Sequence, residues 1–151
     1  MTTLTKGDKA PEFSGIDQTG NTHTLSDYKD KKLVVFFYPK ADTPGCTNEA
    51  CDLRDNYHRF QAQGYELLGV SADSQKKQAK FKDKYSLPFP LIADEDKSVI
   101  NAFGVWGPKK FLGRLIDGIH RTTFVIDEKG IIEEVITAVK TKQHTAQILK
   151  S

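Results

Sequence analysis

Apolar residues along this chain change their spacing several times, and the changes lay out its elements. Leu33-Val34-Val35-Phe36-Phe37-Tyr38 is continuously apolar and rich in β-branched and aromatic side chains, the pattern of a central strand covered on both faces. Pro39 stops it, because proline brings no N–H to a ladder. Cys46, Ala50, Leu53, Tyr57 and Phe60 then recur at spacings of four, three, four and three. That draws one apolar helix stripe, with Arg54, Asp55, Arg59 and Gln61 off it, and Gly64 ends the helix. A buried strand over Tyr65 to Ala72, an amphipathic helix from about Gln75 to Tyr85 and a short strand at Pro90 to Ala93 follow.

The flanks add to this β, α, β, α, β order. Glu12 to Leu25 reads as a hairpin around Gln18-Thr19-Gly20-Asn21. Lys97 to Phe103 makes a brief helix, and Gly104 to Gly118 reads as a long glycine-rich connection holding the single tryptophan, Trp106. Thr122 to Asp127 and Ile131 to Thr137 alternate as strands around Glu128-Lys129-Gly130, a hairpin signal, and a short helix from about Thr141 to Leu149 closes the chain. Parallel strands joined by helices, then an antiparallel hairpin, predict an α/β fold with a central mixed sheet flanked by helices and an N-terminal hairpin extension. No repeat or linker interrupts it, so residues 1–151 are expected to form one domain.

Composition narrows the function classes. The chain has 151 residues, of which 38% are hydrophobic, enough for a core that needs no staple. Lysine and arginine exceed aspartate and glutamate by 22 minus 20, too little to argue for a nucleic-acid partner. The basic run from Lys76 to Lys84 reads as a solvated helix face. The longest strongly apolar run, Leu33 to Tyr38, is too short to span a bilayer, and no apolar leader follows Met1. A cytoplasmic protein with no membrane partner is therefore expected. In a reducing compartment two cysteines in one short segment suggest redox chemistry or metal binding. His23, His58, His120 and His144 stand singly, so no metal site and no cofactor are expected.

Loops beyond the carboxyl ends of strands carry the reactive groups of α/β sheets, and Pro39 to Cys46 is such a loop. Thr43 suits the N-cap, its hydroxyl accepting an orphan N–H, and Pro44 suits the first helical position. Cys46 then falls in the first turn, facing free backbone donors and the positive helix end, both of which favour a thiolate. A buried, inert core cysteine is the competing reading. An ordinary thiol is only about 3% ionised at pH 7, and bringing it to a pKa of about 6 needs roughly 3.4 kcal/mol. A helix end supplies about 2 kcal/mol at most, so a cation is required. Arg121, at a strand edge, is the candidate, with Arg54, Arg59 and Arg114 also available. Positions i and i+5 of a helix lie roughly 8.6 Å apart and about 140° around the axis, whereas a disulfide needs about 7 Å or less. A Cys46–Cys51 bond therefore requires local unwinding near residues 44 to 52.

These residues also resemble a family. Pro39-Lys-Ala-Asp-Thr43-Pro-Gly-Cys46-Thr is similar to the peroxidatic P-x-x-x-T-x-x-C motif of the peroxiredoxins, and the gap to Cys51 resembles the bacterioferritin comigratory protein or peroxiredoxin Q subfamily. The likeness extends through Phe103-Gly104-Val105-Trp106-Gly107 and Gly118-Ile119-His120-Arg121-Thr122-Thr123-Phe124-Val125-Ile126-Asp127. It implies a thioredoxin-like fold and a thiol peroxidase reducing hydrogen peroxide and organic hydroperoxides in antioxidant defence. Cys46 would be the peroxidatic nucleophile, Cys51 the resolving cysteine, and Arg121 the required cation. Thr43 and the Cys46 N–H would bind peroxide, and Pro39 would shield the sulfenic acid. The resemblance further implies a monomer recycled by thioredoxin, or alternatively by glutaredoxin. Two other functions fit the fold: a reductase of protein disulfides, which the four-residue spacing disfavours, and a redox sensor without enzymatic turnover.

Overall fold

The computed structural model describes residues 2–150, and of Phe111 its backbone alone. A five-stranded sheet carries the molecule, in the order β5 (Leu91–Ala93), β4 (Tyr65–Ser71), β3 (Lys32–Phe37), β8 (Thr122–Ile126), β9 (Ile132–Ile136). Strands β3, β4 and β5 are parallel, β8 runs antiparallel to β3, and β9 runs antiparallel to β8 and so in the direction of β3, which makes the expected mixed sheet. The unbroken apolar run of β3 has a direct cause. Val34, Phe36 and Tyr38 bury into one core with Leu53, Phe60, Phe81 and Phe89, while Leu33, Val35 and Phe37 bury into another with Val99, Phe103 and Phe124. Side chains that alternate between two cores leave no polar face. Gly69 of β4 is demanded by this packing: a Cβ there would lie 2.8 Å from both Phe36 Cζ and Leu91 Cδ2.

The first core lies under α1 (Pro44–Asp55), α2 (Tyr57–Ala62) and α3 (Gln75–Tyr85), and the second under α4 (Ser98–Ala102). A last helix, α5 (His144–Ile148), packs beside α1. The N-terminal hairpin, β1 (Ser14–Ile16) and β2 (Thr22–Thr24), forms as the turn residues predict. It is tied to the sheet edge by the Asp17–Ile92 bridge and by Gln18 Oε1, which accepts from the Leu91 N–H at 3.0 Å.

Two expectations are corrected. The helix from Cys46 to Phe60 is two helices, broken at Asn56, whose backbone sits at φ −113°, ψ 12°. Its side-chain amide donates to the Asp52 carbonyl at 2.8 Å, competing with the helix ladder as short amide side chains do. The segment Gly104 to Gly118 is not an open connection but a hairpin, β6 (Trp106–Phe111) and β7 (Arg114–Ile119). Its tight turn places Leu112 at φ 53° and Gly113 at φ 77°, the two left-handed residues of a primed hairpin turn. Leucine in the first of those positions masks the turn signal.

Candidate functional site: the Cys46 turn

Chain leaving β3 keeps Tyr38 buried, and its hydroxyl donates to Gln78 Oε1 at 2.6 Å. Half-buried Pro39 then opens a loop fixed from two sides. The Ala41 N–H donates to Asp73 Oδ2 at 2.8 Å. Asp42, at φ 60°, accepts from the Tyr85 hydroxyl at 2.8 Å and from Lys84 Nζ at 2.9 Å on α3. Thr43 is the extended N-cap residue and Pro44 the first helical residue, as predicted. The cap bond differs, however. Thr43 Oγ1 donates back to the Lys40 carbonyl at 2.8 Å and accepts no helix N–H, so the first-turn amides of Gly45 and Cys46 keep the free direction that a helix end gives them.

Cys46 is the third residue of α1, and 2% of it is exposed. The guanidinium beside it is that of Arg121, from the junction of β7 and β8. Nη2 lies 3.3 Å from Cys46 Sγ, while Nη1 donates to Glu49 Oε1 at 2.8 Å. Two of the other candidates are engaged elsewhere, Arg54 with Asp55 and the Tyr85 carbonyl and Arg59 with Asn56, and Arg114 is exposed at the start of β7. Neighbouring backbone steers Arg121 inward, since the His120 N–H donates to the Val105 carbonyl at 2.7 Å and Thr122 Oγ1 to the His120 carbonyl at 2.8 Å. Burial works against the charge of Arg121, but the Cys46 and Glu49 charges outweigh it and hold the guanidinium above its ordinary value. Glu49 itself is fully buried; burial pushes its carboxyl up to about 7 against the pull of Arg121. Gly45 makes room for all this, because a Cβ there would come within 3.1 Å of Arg121 Nη2.

Both cysteines are free thiols. Cys51 is half-buried on the same intact helix, five residues on, and burial pushes its thiol up while Arg54 pulls it back.

Known proteins align with this chain along nearly its whole length. The AhpC/TSA family model matches residues 6–135. Peroxiredoxin Bcp of Escherichia coli K12 is 46% identical over 149 residues, covering 99% of this chain and 96% of that protein. A Xylella fastidiosa PrxQ crystal structure superposes with a TM-score of 0.92 at 31% identity, covering 99% of this chain and 96% of that one. A Xanthomonas campestris bacterioferritin comigratory protein, solved in a study of alkyl peroxide reduction, gives a TM-score of 0.86 at 33% identity over 91% and 88%. This chain belongs to the AhpC/TSA family of peroxiredoxins.

As a peroxiredoxin it is a thiol-dependent peroxidase with a thioredoxin-like fold, using a peroxide substrate and a thiol reductant. The residues that the sequence singled out divide by position. Cys46 and Arg121 meet at the first turn of α1, Thr43 is the N-cap residue of that helix, Pro39 opens the loop that leads to it, and Cys51 lies along the same helix. Trp106 lies in β6 rather than in an open connection: its ring packs on the second core, under Lys97 Nζ at 4.9 Å from the ring centroid. Two residues beside the site of this peroxiredoxin were given no role by the sequence. Glu49 follows Cys46 by three, so a carboxylate shares the helix face of the cysteine; that spacing was the available signal. His144, from a helix about a hundred residues away, is also fully buried, with Nε2 3.3 Å from Glu49 Oε2; nothing local marks it. Among the described residues no helix is long and apolar enough to cross a membrane.

Proposed function

We propose that Cys46 is the peroxidatic residue of this thiol peroxidase and reacts as a thiolate, and that Cys51 resolves the product. The Arg121 guanidinium 3.3 Å from Cys46 Sγ in the first turn of α1 carries this reading. The sulfur attacks the terminal oxygen of the hydroperoxide. An S–O bond forms as the O–O bond breaks, and the electron pair leaves on the distal oxygen, which takes one proton to become water or an alcohol. Charge grows on both oxygens in that displacement, so donors aimed at them lower the barrier. Arg121 and the Cys46 N–H are those donors. Thr43 has its proton committed to Lys40, so its oxygen accepts from the hydroperoxide O–H. Pro39 covers the approach of water to the sulfenic acid.

The Cys51 sulfur then displaces water from that sulfenic acid, and the disulfide diverts Cys46 from irreversible oxidation. Thioredoxin, or alternatively glutaredoxin, returns both thiols by exchange. Hydrogen peroxide and organic hydroperoxides are the substrates we infer; alkyl peroxide reduction by the Xanthomonas relative supports the second class. Residues 1–151 act as one domain, in a cytoplasmic monomer.

The test is peroxide-dependent NADPH consumption coupled through thioredoxin and its reductase, with stopped-flow oxidation of the reduced protein beside it. Cys46→Ser is expected to be inactive in both. Cys51→Ser is expected to oxidise at the wild-type rate, turn over once and stall until a small thiol is added. Retained activity in Cys46→Ser overturns the assignment.

A further inference from the structure

Behind Arg121 sits a buried acid and base whose hydrogen-bonding geometry is incomplete as drawn by their usual charges. Glu49 Oε2 is the one buried side-chain oxygen or nitrogen without a hydrogen-bond partner among the described residues, although His144 Nε2 lies 3.3 Å away and both side chains are fully buried. The state of the imidazole is legible from its other side. Gln147 Oε1 accepts from the Lys140 backbone N–H at 2.9 Å while Gln147 Nε2 donates to the Ala138 carbonyl at 2.9 Å, so the amide orientation is set and Oε1 is an acceptor. His144 Nδ1, 2.8 Å from that oxygen, must therefore carry a proton. In a neutral ring Nε2 is then a lone pair, accepting from Thr123 Oγ1 at 2.7 Å.

A neutral His144 facing an ionised Glu49 would set a lone pair 3.3 Å from a carboxylate oxygen, both fully buried, which leaves the desolvation of both groups uncompensated. One proton relieves it, on Oε2 or on Nε2. We propose that Glu49 and His144 hold one shared proton in the reduced protein, which makes His144 a positioning residue that leaves the Arg121 charge to the Cys46 sulfur. Were Glu49 an anion, Arg121 would divide its charge between carboxylate and sulfur. Directions of titration agree: burial pushes Glu49 up to about 7 and pushes His144 down. Three charged groups among the described residues face the pair or its arginine. Asp52 on α1 favours protonation of both, Arg121 opposes protonation of both, and Cys46, one turn before Glu49, shares the Arg121 guanidinium with it. Lys109 of the β6–β7 hairpin faces Arg121 and Cys46 and donates to the Ile119 carbonyl at 2.9 Å.

Glu49→Gln mimics the protonated acid, with its amide oxygen toward Arg121 and its NH2 toward His144. The ratio of wild-type to Glu49→Gln rate constants for oxidation by hydrogen peroxide, taken at each pH, isolates the pH dependence that the Glu49 carboxyl adds. We expect that ratio to fall about tenfold between pH 6 and pH 9, the effect of one neighbouring charge arising through protein. A ratio constant across that range overturns the proposal. A second measurement needs no variant to react. Nitrogen NMR of His144 in the reduced wild-type protein should show Nδ1 protonated throughout, and infrared difference spectra against Glu49→Gln should show a protonated carboxyl at pH 6 that titrates near neutrality. An unprotonated Nδ1, or no carboxyl band at pH 6, overturns it. The proposal rests on Cys46 as the reacting thiolate, and that reading fails separately, through an active Cys46→Ser protein.

Discussion

At the scale of single residues, the site is a balance of charges that water cannot reach. Glu49 keeps its proton to about pH 7 when folded, whereas an ordinary carboxyl releases it near 4.5. The folded state then binds the extra proton, so its stabilising effect is complete below about 4.5 and is lost as pH rises through about 7. Glu49→Gln should therefore unfold at higher denaturant than wild type at pH 8, by roughly 3 kcal/mol, and the difference should close near pH 4. Equal stabilities at pH 8 would mean that the carboxylate is welcome beside Arg121. Gly45 makes a second prediction at this scale. An alanine methyl would press on Arg121 Nη2 at 3.1 Å, and Glu49 leaves that guanidinium little room to retreat. Gly45→Ala should slow Cys46 oxidation roughly tenfold to a hundredfold, as small misplacements of a catalytic group do, with Tm little changed; stopped-flow kinetics and thermal unfolding check the pair.

Helix α1 decides events at the scale of elements. Its second half is fastened to α5, where Asp52 Oδ2 accepts from the Thr145 N–H at 2.6 Å and the Asp52 carbonyl accepts from Thr145 Oγ1 at 3.3 Å. Before Asp52 the helix is held by its own ladder, by the burial of Cys46 and Ala50 in the first core and by the Arg121 contacts to Cys46 and Glu49, with no bond to the α5 backbone like that of Asp52 among the described residues. Disulfide formation is therefore expected to unwind residues 44 to 51 and stop at Asp52. Hydrogen exchange should show these amides losing protection on oxidation while residues 53 to 55 keep theirs; unchanged protection over 44 to 51 would contradict a Cys46–Cys51 disulfide. The elements also show where a linear reading loses its grip. The β3 strand, the N-terminal hairpin and α3 were legible because their apolar spacing and turn residues are local. The break at Asn56 and the hairpin at Leu112-Gly113 were not, because each depends on a backbone bond or a left-handed turn that its residue types do not advertise.

Over the whole molecule, one sheet separates two cores, and β3 contributes alternate side chains to each. Unfolding that strand removes both cores at once, so the reduced protein is expected to lose far-ultraviolet circular dichroism and Trp106 fluorescence in a single coincident denaturant transition. Trp106 reports on the β6–β7 hairpin, and an earlier fluorescence transition would show that this hairpin unfolds apart from the sheet. The order of elements, the Pro39-to-Cys46 loop, the helix start at Pro44 and the paired cysteines could all be read along the chain, since each rests on neighbours a few residues apart. Which of the four arginines meets the sulfur was suggested by a strand-edge position and by likeness to a family, but spacing did not decide it. Tertiary structure alone chose Arg121 on physical grounds and put His144 against Glu49, because a guanidinium 75 residues from its sulfur and an imidazole from the last helix are brought there by sheet topology, which leaves no mark on local spacing.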